Sequence, residues 1–69
     1  MDHQILTPRE KEIFDQLIEG KNSKEIAEYF FISDKTVRNH ISNVMQKLEV
    51  KTRYQAIIEL LKMGELEIK

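Results

Sequence analysis

At 69 residues the chain has room for one domain and one small core, and a core of that size leaves little stability in reserve. Apolar residues make up 41% and charged residues 33%, with one proline and no cysteine, which excludes a disordered or fibrous chain, a disulfide framework and a thiolate metal site. The net charge of −1 argues against an indiscriminately basic nucleic-acid binder but conceals a gradient: residues 1–20 sum to −3, residues 21–53 to +3 and residues 54–69 to −1.

The start, MDHQILTPRE, has neither the basic nor the apolar region of a secretory signal, and no apolar run approaches the roughly 18 residues of a membrane span, so a cytoplasmic protein without membrane contact is expected. His3 and His40 stand too far apart in sequence to suggest a ligand pair, and no phosphate-cradling glycine loop is present; neither a metal nor a cofactor is expected.

Helix punctuation marks four helices. Thr7-Pro8-Arg9-Glu10 places a hydroxyl at the N-cap, proline at the first helical position and glutamate three residues after the cap. Ile13, Phe14, Leu17 and Ile18 follow at helical spacing, and Gly20 suits a left-handed closing residue, giving a helix over about 8–19. Ser23 is the expected cap of a short helix over about 23–30 carrying Ile26, Ala27 and Phe30; Tyr29, Phe30 and Phe31, at its end, read as core residues.

Ser33 caps a third helix over about 34–48, so about three residues join it to the second and the two must cross steeply. Val37, Ile41, Val44 and Leu48 form one apolar stripe down that helix, roughly 22 Å long. Thr52-Arg53-Tyr54-Gln55 is a second capping-box pattern and opens a fourth helix over about 53–63, ending at Gly64. The fold class is all-α.

The other side of the third helix carries the chemistry. At about 100° per residue, Lys35, Asn39, Ser42, Asn43 and Gln46 lie opposite the stripe, with Arg38 on one flank and Thr36, His40 and Lys47 on the other. From Lys35 to Lys47 there is no carboxylate. Arg, Lys and Asn make paired hydrogen bonds to base edges, and Thr, Lys and His hold phosphates, so the face suits a duplex major groove. Most polar helix faces bind nothing; the tight turn, the amide-rich surface and the local positive charge together favour DNA. His40 suits a packed histidine or a phosphate contact, and Lys24, beside the amides opening the second helix, suits either a solvated lysine or a phosphate contact.

Leu6-Thr7-Pro8-Arg9-Glu10, Lys24-Glu25-Ile26-Ala27, Ile32-Ser33-Asp34-Lys35-Thr36-Val37-Arg38-Asn39-His40-Ile41 and Lys47-Leu48-Glu49-Val50-Lys51-Thr52-Arg53 together resemble the LuxR-type helix-turn-helix family, over about residues 5–63. The run from Lys35 to Asn43 and the ending Met63-Gly64-Glu65-Leu66-Glu67 resemble in particular its stand-alone sporulation regulators. The resemblance implies a four-helix transcriptional regulator, residues 1–69 forming one DNA-binding domain that acts on promoters of late-sporulation and spore-coat genes. It implies base contacts by Lys35, Arg38, Asn39 and Ser42, phosphate contacts by Lys24, Thr36, His40, Asn43 and Lys47, and a homodimer through the fourth helix. RNA polymerase is a further partner to consider, and a chromosome-bound, nucleoid-associated location follows.

Two departures from the family pattern stand out. Only six residues precede Thr7, so no sensor domain is expected in the chain, and control falls to abundance, partners or promoter context. Glu49 occupies a place where the family commonly has glycine, and a left-handed glutamate there costs about 1 kcal/mol. The fourth helix is apolar on two adjacent stripes, Ile57/Leu60/Leu61 and Tyr54/Ile58/Leu61, of which the second is the candidate dimer face. The competing reading is a helical interaction module that dimerises through this helix without binding DNA. An RNA binder lacks free aromatics for stacking if residues 29–31 are core, and an enzyme lacks a nucleophile–base pair.

Overall fold

The structure is a computed structural model that describes residues 5–68; His3 lies outside them. Four helices follow one another: α1 (Pro8–Ile18), α2 (Ser23–Phe30), α3 (Asp34–Leu48) and α4 (Arg53–Lys62), with no strand among the described residues. α1 and α4 stop one residue short of the expected ends because Glu19 and Met63 serve as half-helical caps.

Each start is chemically closed. Thr7 Oγ1 accepts from the Glu10 amide at 3.2 Å while Glu10 Oε1 accepts from the Thr7 amide at 3.0 Å, and Thr52 and Gln55 exchange the same pair of bonds at the head of α4. Ser33 caps α3 through the Thr36 amide at 3.0 Å. The cap of α2 is Asn22 rather than Ser23, which is already helical; Asn22 Oδ1 accepts from the Glu25 amide at 2.8 Å and Glu25 Oε1 accepts in return at 2.9 Å. Both residues are good caps, and the glutamate three positions after Asn22 decides between them.

The core forms around the inner stripe of α3. Val37, Ile41 and Val44 are buried, with Leu48 half-buried, against Ile13 and Phe14 of α1, Ile26 and Ala27 of α2, and Ala56 and Leu60 of α4. α3 packs on each of the other three helices. Leu6 and Leu66 add buried side chains from outside the helices, and the Glu65 amide donates to the Leu60 carbonyl at 2.9 Å, turning the chain back so that Leu66 can pack. Each fully buried Ile, Leu or Phe contributes about 1.5–3 kcal/mol by leaving water.

Both turns flanking α3 are closed by left-handed residues that carry side chains. Phe31 and Glu49 share φ 57° and ψ 43°. In each turn the next amide reaches back to an orphan carbonyl, Ile32 to Ala27 at 3.0 Å and Val50 to Met45 at 3.0 Å. Glu49 therefore keeps the geometry a glycine would adopt, with the strain foreseen from sequence. The aromatic run departs from expectation: Phe30 packs on the core, whereas Tyr29 is 67% and Phe31 95% exposed. Tyr29 falls on the side of α2 away from Ile26 and Ala27, and for Phe31 the left-handed turn reverses the chain before its ring can reach the interior.

Candidate nucleic-acid interface

α2 and α3 meet through the three-residue turn Phe31-Ile32-Ser33, which leaves the polar side of α3 uncovered. Lys35, Arg38, Asn39, Ser42, Asn43 and Gln46 are all exposed there. Thr36 and His40 are half-buried along one margin, and Lys24 is exposed on the first turn of α2. Lys35, Arg38, Asn39 and Ser42 thus share the exposed side of α3, with Thr36 and His40 at its margin, whereas Lys24 sits on α2 and Lys47, on the last turn of α3, reaches to the start of α1.

Three of these side chains have partners. Arg38 Nη1 lies 3.6 Å from Asp34 Oδ2 one turn earlier, an exposed pair that yields readily to a better anion. The carboxyl-free stretch is therefore bordered by the carboxylate of Asp34, the first residue of α3; the four-residue spacing of Asp34 and Arg38 is the signal that could have revealed it. The Thr36 hydroxyl lies 2.8 Å from Ser33 Oγ, so part of its hydrogen-bonding capacity belongs to the helix cap.

Lys47 is the most constrained. Its Nζ donates to Glu10 Oε1 at 2.6 Å and to the Ile5 carbonyl at 3.1 Å, tying the last turn of α3 to the start of α1. An ammonium has three donors, so one remains for a phosphate. Glu10 is buried, and burial by itself pushes its carboxyl pKa up. The hydrogen bonds from Lys47 and the Thr7 backbone, with the Lys47 charge, outweigh burial and hold it below the ordinary range. Nothing in sequence couples residues 37 positions apart, and this contact went unforeseen.

On α4, Ala56 and Leu60 are fully buried and Ile57 and Leu61 partly so, while Tyr54 is 74% and Ile58 51% exposed. Leu61 thus serves the core as well as the second stripe. Among the described residues no cluster of three metal-ligating side chains occurs, and no helix is long and apolar enough to cross a membrane.

The family model described as GerE, bacterial regulatory proteins of the luxR family, matches residues 4–60. The chain belongs to the LuxR family of bacterial regulatory proteins. The spore germination protein GerE of Bacillus subtilis (strain 168) is a LuxR-family relative 64% identical over 64 residues, covering 93% of this chain and 86% of that protein. The transcriptional regulatory protein DegU of Brevibacillus brevis is 42% identical across 94% of this chain, which spans only 28% of DegU.

Among solved structures, that of the transcription factor GerE superposes with a TM-score of 0.93 at 52% identity, over 97% of this chain and all of that one. The response regulator ChrA of a heme-sensing two-component system matches at a TM-score of 0.83 and 32% identity, over 96% of this chain and 33% of ChrA. The LuxR-family chain is a DNA-binding helix-turn-helix regulator of transcription and not an enzyme. The reading as an interaction module without DNA binding is set aside with it.

Proposed function

We propose that residues 1–69 work as one sequence-specific domain that binds promoters of a late-sporulation programme, including spore-coat genes, as a homodimer with α3 in the major groove. The observation that carries this is the uncovered outer face of α3, from Lys35 to Gln46, on a fold shared with GerE. In this reading Lys35, Arg38, Asn39 and Ser42 contact bases. Lys24, Thr36, His40, Asn43 and Lys47 hold phosphates, Lys47 through the donor not engaged by Glu10 and Ile5.

The exposed Tyr54 and Ile58, with the adjoining Leu61, supply the dimer contact, and a two-fold pair presents two copies of α3 to a pseudo-palindromic site. RNA polymerase is the protein partner at the promoter. Such a regulator works where the chromosome lies, in the cytoplasm and associated with the nucleoid.

Selection of bound duplexes from a random pool, followed by sequencing, tests the reading. A two-fold symmetric motif is expected, and a pool with no enriched sequence refutes it. For the dimer, Ile58→Glu is expected to give a folded monomer by sedimentation; a folded Ile58→Glu protein that still dimerises removes the proposed interface.

A further inference from the structure

Asp34 is the one acidic residue of α3, a helix whose outer face is otherwise offered to a polyanion. The cap does not require it, because the Ser33 hydroxyl already accepts from the Thr36 amide at 3.0 Å. A carboxylate at the first helical residue gains from the helix dipole, but that gain needs no partner on the side chain. Asp34 has one. Its Oδ2 lies 3.6 Å from Arg38 Nη1, one turn on, while its Oδ1 is buried and takes no hydrogen bond from the described residues.

At 3.6 Å the contact is one of charge rather than a hydrogen bond, so it consumes none of the five guanidinium donors of Arg38. In a major groove such an arginine meets two kinds of acceptor. Phosphate oxygens carry charge and no sequence, whereas O6 and N7 of guanine carry sequence and no net charge. Asp34 separates the two. A phosphate drawn to Arg38 also comes close to the Asp34 carboxylate and is repelled by it, while a guanine edge meets no such penalty. The pair itself yields to an incoming phosphate, but the carboxylate stays beside it and lowers the gain. Specificity is a difference of affinities and rises when the wrong contact is weakened as well as when the right one is strengthened.

We propose that Asp34 is a specificity-determining residue that acts through Arg38, turning its guanidinium from phosphates toward a guanine edge; this rests on the base contact proposed above for Arg38. Asp34 is thus a positioning residue, and its loss should make the domain bind DNA more tightly and less selectively.

The test uses the full chain, duplexes carrying the selected site and its single-base variants, and a duplex of unrelated sequence. Asp34→Asn and Asp34→Ser each remove the charge and leave the Ser33 cap, and each is made with and without Arg38→Ala, with circular dichroism to check the fold. Removing the charge is expected to raise affinity for the unrelated duplex about threefold or more and to steepen its log-affinity against log-salt slope by about one. Preference for guanine at the base pair lost in Arg38→Ala should fall about fivefold. In the Arg38→Ala background the same removal should leave base preference unchanged.

An Asp34 that only stabilises the helix would shift all duplexes alike and leave the preference intact, which overturns the proposal. A change of preference that persists in the Arg38→Ala background also overturns it, since Asp34 would then touch a base itself. The two layers fail differently. If Arg38→Ala leaves the preferred sequence unaltered, the base contact of Arg38 falls and the proposal with it. If Arg38→Ala alters that sequence and charge removal at Asp34 does not, the proposal falls alone.

Discussion

Lys47→Met offers the sharpest measurement on the fold, because it keeps most of the side-chain stem and removes one ammonium. The Glu10 side chain is 5% exposed and the Lys47 side chain 37%, at a separation of 2.6 Å. Removing the cation leaves a buried carboxylate with the Thr7 amide as its remaining named donor. Breaking a fully buried pair costs about 3–5 kcal/mol; with the lysine more than one-third exposed, water recovers part of this and about 2 kcal/mol is expected. For a domain of this size that lowers Tm by roughly 8–16 °C. Glu10→Gln keeps an oxygen for the Thr7 amide and frees Lys47 into water, so it should cost only about 1 kcal/mol. Urea unfolding followed by circular dichroism, on both single variants and the double variant, measures the asymmetry and the coupling. A loss below about 0.5 kcal/mol for Lys47→Met, or a larger loss for Glu10→Gln, would show that the pair does not hold α3 to α1.

Because Glu10 has a lowered pKa in the folded chain, its contribution is fully present above the unfolded carboxylate pKa, about 4.3, and is lost as pH falls through the folded value. Acid titration of stability should therefore be less steep in Glu10→Gln, and equal slopes would contradict the assignment. Glu49→Gly should raise stability by about 0.5 kcal/mol, relief of left-handed strain exceeding the entropy gained by the unfolded chain; thermal unfolding checks the sign. Leu66→Ala, emptying a buried site beyond α4, should cost about 2–4 kcal/mol by denaturant unfolding, which a mere tail residue would not. Asn39→Ala should cost about 1–3 kcal/mol on the preferred duplex and relax choice at one or two base pairs, whereas Lys47→Ala should weaken all duplexes alike and reduce the log-affinity against log-salt slope by about one; similar behaviour across a sequence panel would refute the division of the face.

Local rules carried most of the architecture. Thr7, Ser33 and Thr52 announce their helices because a cap and its third-following residue act within one turn, and the stripe from Val37 to Leu48 announces the inner side of α3 by its period. The outer face was equally legible, since a helix with one side buried presents the other to solvent. The failures have a common cause in geometry beyond the local pattern. Tyr29 and Phe31 read as core by hydrophobicity, but Tyr29 falls on the outward side of α2 and the left-handed Phe31 redirects the chain, a role for which no propensity marks it. The Glu10–Lys47 bond depends on how α1 and α3 pack, so it appears only once both helices are in place.

The placement of α3 also bears on how such a domain acquires new targets. Its inner stripe touches every other helix, while Lys35, Asn39 and Ser42 stand free of that packing. Exchanges at these outer positions should change stability by only about 0.5 kcal/mol either way while replacing the groups that the proposed reading offers to a base pair. If the proposed base contacts hold, new specificities are reachable by single substitutions through folded intermediates, without a compensating change elsewhere in the chain. A combinatorial library at the three positions would explore operator sequences on an unaltered scaffold, whereas the same diversity at Val37, Ile41 and Val44 would yield mostly unfolded chains.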